Sequence, residues 1–313
     1  MAEDIITSNI EELKQLIQKK DEKAITDFIS LLHQSDIAKL LTGLEDEEKI
    51  AVFGLLSPEA ASGVLLEVDE HTREKFIASI SKAELTEIVE GMATDDAADV
   101  IAELQHEEAK TVLEGIGWEE SAEVQKLLKY PEDTAGGIMQ TEMVMVGEDA
   151  TIQETIEQVR AKSEEMLNIH NVFVIDDAGR LIGTVPLEKL ILTRSHLPVK
   201  DIMNNKPVKV LVDTDQEEVA RIFQKYDLVT LPVINKDGKL LGRITIDDVM
   251  DVVEEEIFED FYKMAGLNTE ERVLDPLARS FRMRFPWLLI NLATAFLAAS
   301  VVKVFENTIQ TVV

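Results

Sequence analysis

Between Asp247 and Asp260 the sequence places Asp247, Asp248, Asp251, Glu254, Glu255, Glu256, Glu259 and Asp260, with no basic residue among them. Val249, Val252, Val253, Ile257 and Phe261 interleave at helical spacing, which predicts an amphipathic helix with one very acidic face. A second pair, Asp95 and Asp99, stands four residues apart, one above the other on a helix. Carboxylates crowded this way repel each other and any acidic neighbour. They are hard oxygen donors, so a hard cation is the counter-charge that suits them. A solvated acidic face is the plain alternative for any single residue. For the whole run it is weaker, because neither Lys nor Arg interleaves to neutralise it.

Catalysis finds little support. His33, His71, His106, His170 and His196 are scattered, with no HExxH spacing, nucleophile elbow or phosphate-cradling glycine loop. The chain has no cysteine, which excludes disulfides, thiolate zinc sites, iron–sulfur ligation and thiol chemistry. No D-x-D-x-D-G loop of the EF-hand kind occurs. Acidic residues outnumber basic ones 61 to 31 over 313 positions, a formal charge of −30. That field repels phosphate backbones, so nucleic acid is not an expected partner. The first ten residues, MAEDIITSNI, lack the basic flank and apolar run of a secretory signal.

The elements that position these acids fall into three parts. From Glu45 to Ile116 the sequence repeats every twelve residues. Position eight reads Val52, Val64, Phe76, Ile88, Val100 and Val112; position nine reads Phe53, Leu65, Ile77, Val89, Ile101 and Leu113. Ser57 before Pro58, Asp69, and Ser81 with Glu84 three later read as helix caps. A helix this short cannot bury its apolar face alone, so neighbours must stack. Residues 1–130 are therefore expected to form a superhelix of short helices.

Two similar segments follow Tyr130–Pro131 at a spacing of roughly 60 residues, each reading strand, helix, strand, strand, helix. Gly179 with Gly183, and Gly238 with Gly242, mark hairpins between strands rich in Val, Ile and Leu. The pattern resembles a tandem pair of CBS domains, expected at 131–200 and 201–246. Such pairs are sensors rather than catalysts, and their cleft often binds an adenosine nucleotide. A Thr or Ser followed three residues later by Asp can hold the ribose. Thr245 and Asp248 match that motif in the second unit, whereas the first has Pro186 and Lys189.

The third part is the acidic helix, 247–266, a linker at 267–284, and an apolar stretch at 285–305. Phe285 to Val302 carries no charge, the threshold length for a membrane-spanning helix. Arg279, Arg282 and Arg284 precede it and Trp287 sits at interface depth, which places residues 1–280 in the cytoplasm of a cell-membrane protein. The expected fold class is thus α plus α/β: a helical superhelix, a CBS pair, a long acidic helix and a C-terminal transmembrane helix.

This order of parts resembles the MgtE magnesium transporter family over the whole chain. The resemblance rests on DTDQEEVARIFQKYDLVTLPV (213–233) and TIDDVMDVVEEE (245–256), with TDDAADV (94–100) and DTAGGIM (133–139) in support. It implies a homodimer through the CBS domains in which cytosolic Mg²⁺ gates a pore and the acidic helix acts as a plug. The family's pore has five transmembrane helices per subunit, and this sequence reaches the first of them. By motif, the resemblance assigns Mg²⁺ ligands to Asp95, Asp99, Glu217, Asp227, Asp248, Asp251, Glu259 and Asp260. The other reading is a membrane-tethered CBS regulator that responds to ATP or another adenine nucleotide.

Overall fold

Each twelve-residue unit folds as its cap and apolar spacing dictate. The computed structural model describes residues 2–163, 166, 168–264 and 277–312, with side chains for 6–163, 166, 168–259, 261–263, 285–301 and 303. Helices α1 (Ala2–Lys19), α2 (Glu22–Ile29) and α3 (Gln34–Leu41) open the chain. The repeats become α4 (Asp46–Phe53), α5 (Pro58–Glu67), α6 (Glu70–Ser79), α7 (Lys82–Glu90), α8 (Thr94–Glu103) and α9 (His106–Gly115), and α10 (Trp118–Leu127) follows. Ser57 accepts from the Ala60 amide, Asp69 from that of Thr72, and Ser81 forms a capping box with Glu84. All six residues at position eight are buried, and the Phe53 and Phe76 rings stack with centroids 4.2 Å apart. Alternate helices pack together, α3 on α5, α5 on α7, α7 on α9, α4 on α6 and α8 on α10, which is the stacking the repeat demands.

Two three-stranded sheets follow. The first contains β1 (Met145–Gly147), β2 (Asn171–Ile175) and β3 (Leu181–Pro186), with α11 (Ile152–Lys162) before β2 and α12 (Leu187–Leu192) after β3. The second contains β4 (Val210–Leu211), β5 (Thr230–Ile234) and β6 (Leu240–Thr245), with α13 (Gln216–Tyr226) before β5 and α14 (Ile246–Met264) after β6. In each sheet the first pair is parallel and the second antiparallel. Gly179 and Gly238 take φ of +76° and +80° in the hairpin turns, a region that glycine enters at no steric cost.

Gly183 and Gly242 do different work: they lie within strands and let another backbone cross. A Cβ on Gly242 would sit 2.5 Å from the Gln140 carbonyl oxygen. Through that gap the Gln140 amide donates to the Arg243 carbonyl at 2.8 Å and the Arg243 amide donates back at 2.9 Å. Thr184 and Asn204 make the matching exchange in the other half. Each lead segment therefore crosses onto the sheet of the opposite unit, which carries residues 140–142 to the second sheet. Gly242→Ala is expected to cost about 2–3 kcal/mol in chemical denaturation. Gly147→Ala, whose Cβ would meet nothing within 4 Å, is the control expected to stay near wild type.

The last superhelical helices and the second CBS unit share one apolar cluster, in which Val100, Ile101 and Val124 join Val219, Phe223, Ile244 and Val249 through Ala135 and Met139. The acidic helix α14 continues directly from β6, and its Val249 and Val252 are buried. Helix α15 (Leu277–Val312) contains the stretch at 285–305 expected to span a membrane. Among the described residues no helix is long and apolar enough to cross one. Side chains at 302, 304 and 305 lie outside the described residues, and Phe285, Trp287, Leu288, Ile290, Leu292, Phe296 and Leu297 are exposed.

Candidate metal-sensing seam

The crossing at Gly242 sets the floor of a polar seam between superhelix and CBS pair. Arg243 on β6 is 3% exposed; its guanidinium donates to the Asn168 carbonyl at 3.0 Å and to Gln140 Oε1 at 3.3 Å. At the start of α14, Asp248 Oδ2 accepts from the Thr245 amide at 3.1 Å, Thr245 Oγ1 at 2.5 Å and Gln140 Nε2 at 3.3 Å. The first turn of α8 faces this group from the superhelix. Its Asp95 is 5% exposed, and Oδ1 is buried and finds no hydrogen-bond partner. An ionised oxygen in that position is costly without a counter-charge or donor.

Repulsion extends along both helices. Burial, then Asp248, then Asp96 hold the Asp95 carboxyl well above the usual carboxylate range. Asp96 is pushed up to about 7 by burial and by Asp248, Asp99, Asp251 and Glu142. Asp248 is raised to about 6, chiefly by burial, against the lowering effect of its Thr245 hydrogen bonds. Loss of water around its carboxyl, then Glu132 and Glu255, push Asp99 up to about 6, although the residue as a whole stays exposed. Asp251 and Glu255 on α14 are also raised, first by loss of water around their carboxyls and then by neighbouring acids, although both residues as a whole stay exposed. Arg73, which pairs with Glu103 at 3.0 Å, and Arg243 are the cations that act on these carboxylates.

The residues assigned from sequence thus divide. Asp95, Asp99, Asp248 and Asp251 converge on the seam between α8 and α14. Glu217 instead pairs with Arg221 at 2.5 Å on α13, and Asp227 forms the left-handed C-cap of that helix. Glu259 pairs with Lys263 and lines a groove with Gln216, Glu255, Glu256, Phe258 and Tyr262. Asp260 lies on α14, but its side chain is outside the described residues. Asp96, Glu142, Glu132 and Glu255 belong to the seam and were not assigned. Among the described residues, no group of three or more His, Cys, Asp or Glu side chains is placed to hold a metal ion.

The fold agrees with what the chain is similar to. Residues 32–133 match the family described as MgtE intracellular N domain, and 135–195 and 199–255 match the CBS domain. Magnesium transporter MgtE of Thermus thermophilus is 32% identical over 306 residues, covering 96% of this chain and 68% of that protein. The chain belongs to the MgtE magnesium transporter family. The Bacillus subtilis magnesium transporter MgtE is 26% identical over 304 residues, and this MgtE-family chain spans 67% of its length. The crystal structure of the cytosolic domain of an Mg²⁺ channel MgtE in complex with ATP superposes with a TM-score of 0.74. It is 33% identical and covers 78% of this chain and 99% of its own. The soluble part of another magnesium transporter superposes at 0.71, with 25% identity over 80% of this MgtE-family chain.

Proposed function

We propose that this chain is the cytosolic Mg²⁺-sensing and gating region of a magnesium transporter. Mg²⁺ bridges the acidic faces of α8 and α14 and so holds the closed arrangement. The observation that carries the reading is the buried, unpartnered Asp95 oxygen facing Asp248 among carboxylates. The donors fit the ion: the assembled set offers oxygen ligands and no sulfur, as a hard cation requires. Mg²⁺ keeps several of its waters, so it can link two carboxylate surfaces without a complete protein cage. The metal favours closure only by the amount that it binds the docked lobes more tightly than the separated ones.

The chain operates as a homodimer through its CBS domains, and α15 meets the membrane with its exposed apolar residues, leaving residues 1–280 on the cytoplasmic side. The chain contributes sensing and regulation rather than catalysis. ATP at the CBS pair is a second reading, favoured by the ATP complex of the similar cytosolic domain. Its ribose motif is occupied internally, since Thr245 donates to Asp248 twice, and in the first unit Lys189 Nζ donates to the Ile202 carbonyl at 2.5 Å.

Limited proteolysis of the full chain in detergent separates the two readings. Millimolar MgCl₂ is expected to protect the segment between α10 and β1, and ATP without metal to leave its cleavage unchanged. Protection by nucleotide alone, with none from MgCl₂, would contradict the metal-gate reading.

A further inference from the structure

We infer that Glu142 is a positioning residue that caps α8 from outside the helix and sets the register in which superhelix and CBS pair dock. The N-cap position of α8 is Ala93, whose side chain makes no capping bond. Glu142, 48 residues along the chain from Thr94, takes over that role. The Thr94 amide donates to its Oε1 at 3.0 Å and Thr94 Oγ1 donates to its Oε2 at 2.9 Å. The adjacent Thr141 amide donates to Thr94 Oγ1 at 2.9 Å, and Thr141 Oγ1 donates to Glu123 Oε2 on α10 at 2.8 Å. Two superhelical helices are thereby tied to one short segment of the CBS pair.

The latch is rigid at both ends. Residues 141 and 142 directly follow Gln140, which the Gly242 gap pins to β6. Thr94 directly precedes Asp95 and Asp96 and is 3% exposed, so the contact is shielded from water. A carboxylate there also opposes the positive end of the helix dipole. Both Glu142 oxygens are committed to neutral donors of the superhelix. Glu142 therefore favours docking independently of metal, against the repulsion of the seam acids, and aligns the α8 acids with Asp248. The alignment matters through the Mg²⁺ reading proposed above, whereas the latch itself needs no metal.

The absence of cysteine permits a direct test. Glu107→Cys on α9 and Asp237→Cys in the second hairpin take a donor and an acceptor dye. Energy transfer in the full chain in detergent is then followed from no metal to saturating MgCl₂. Glu142→Ala is expected to lower the metal-free docking constant about tenfold and raise the MgCl₂ midpoint by a similar factor. Glu142→Gln can accept from the Thr94 amide and donate to Thr94 Oγ1, and is expected to recover most of the docking. Thr94→Val, which keeps the amide donor, is expected to fall between them. Glu142→Ala docking like wild type, or Glu142→Gln behaving like Glu142→Ala, would overturn the inference. Tighter metal-free docking in Glu142→Ala would make Glu142 one more repelling acid and would also overturn it. A wild type that ignores MgCl₂ would sink the metal reading, while the metal-free comparison would still decide the latch.

Discussion

Replacing Asp248 and Asp251 together by Asn is expected to abolish Mg²⁺-dependent compaction in solution scattering while leaving both lobes folded. Asp248 is the α14 acid that acts most strongly on Asp95 and Asp96, and Asp251 adds to the repulsion on Asp96. Without both charges the seam loses the field that draws in a dication. Loss of repulsion also means that the metal-free variant should be more compact than metal-free wild type. Asn at 248, with its carbonyl oxygen in the place of Oδ2, can still accept from Thr245 and from Gln140, and exchanging charge-assisted for neutral bonds costs about 1 kcal/mol locally. Circular dichroism should therefore match wild type. An unchanged scattering response to MgCl₂ would remove these two residues from the site.

The second large effect is pH. Seam carboxyls have raised pKa values in the docked state: about 7 for Asp96 and about 6 for Asp99 and Asp248. Once the lobes separate, these acids should return toward the ordinary Asp value of about 3.9. The docked state then binds more protons between these limits, so metal-free docking strengthens as pH falls from about 8 to about 5. Asp96 alone contributes on the order of 2–3 kcal/mol over that range. Protons and Mg²⁺ compete for the same oxygens, so the apparent Mg²⁺ affinity falls over the same interval. Asp95, Asp251, Glu132, Glu142 and Glu255 face these groups and reinforce the trend, with Arg73 and Arg243 opposing it. Sedimentation of the metal-free chain at pH 8 and pH 5 checks the sign. A more extended chain at low pH would contradict it.

The superhelix was readable because its signals are local. The cap at Ser57, the capping box at Ser81 and the buried position-eight residues all lie inside one repeat, and each emerged as expected. The tandem sheets were readable for the same reason, down to the positive-φ glycines of the hairpins. What the residues could not show was tertiary crossing. Gly183 and Gly242 read as hairpin markers, yet their purpose is to admit a backbone from elsewhere in the chain. Spacing placed Asp95 and Asp99 on one helix face, but only packing reveals that Asp95 is buried toward Asp248 while Asp99 meets Glu132 and Glu255. Asp96 carries no sequence mark beyond its neighbours. Glu142 had none at all, because its partner Thr94 lies far away along the chain.

The apolar cluster shared by the lobes explains why they meet; in the proposed reading, a cation bound by the facing acids sets how firmly. Crystals of the full chain soaked in MnCl₂, whose ion accepts the same octahedral oxygen coordination, test this most directly. Anomalous density between α8 and α14, bridged by water to Asp95 and Asp248, is the result expected. Well-ordered manganese elsewhere on the chain, with that seam dry or filled by side chains alone, would contradict it.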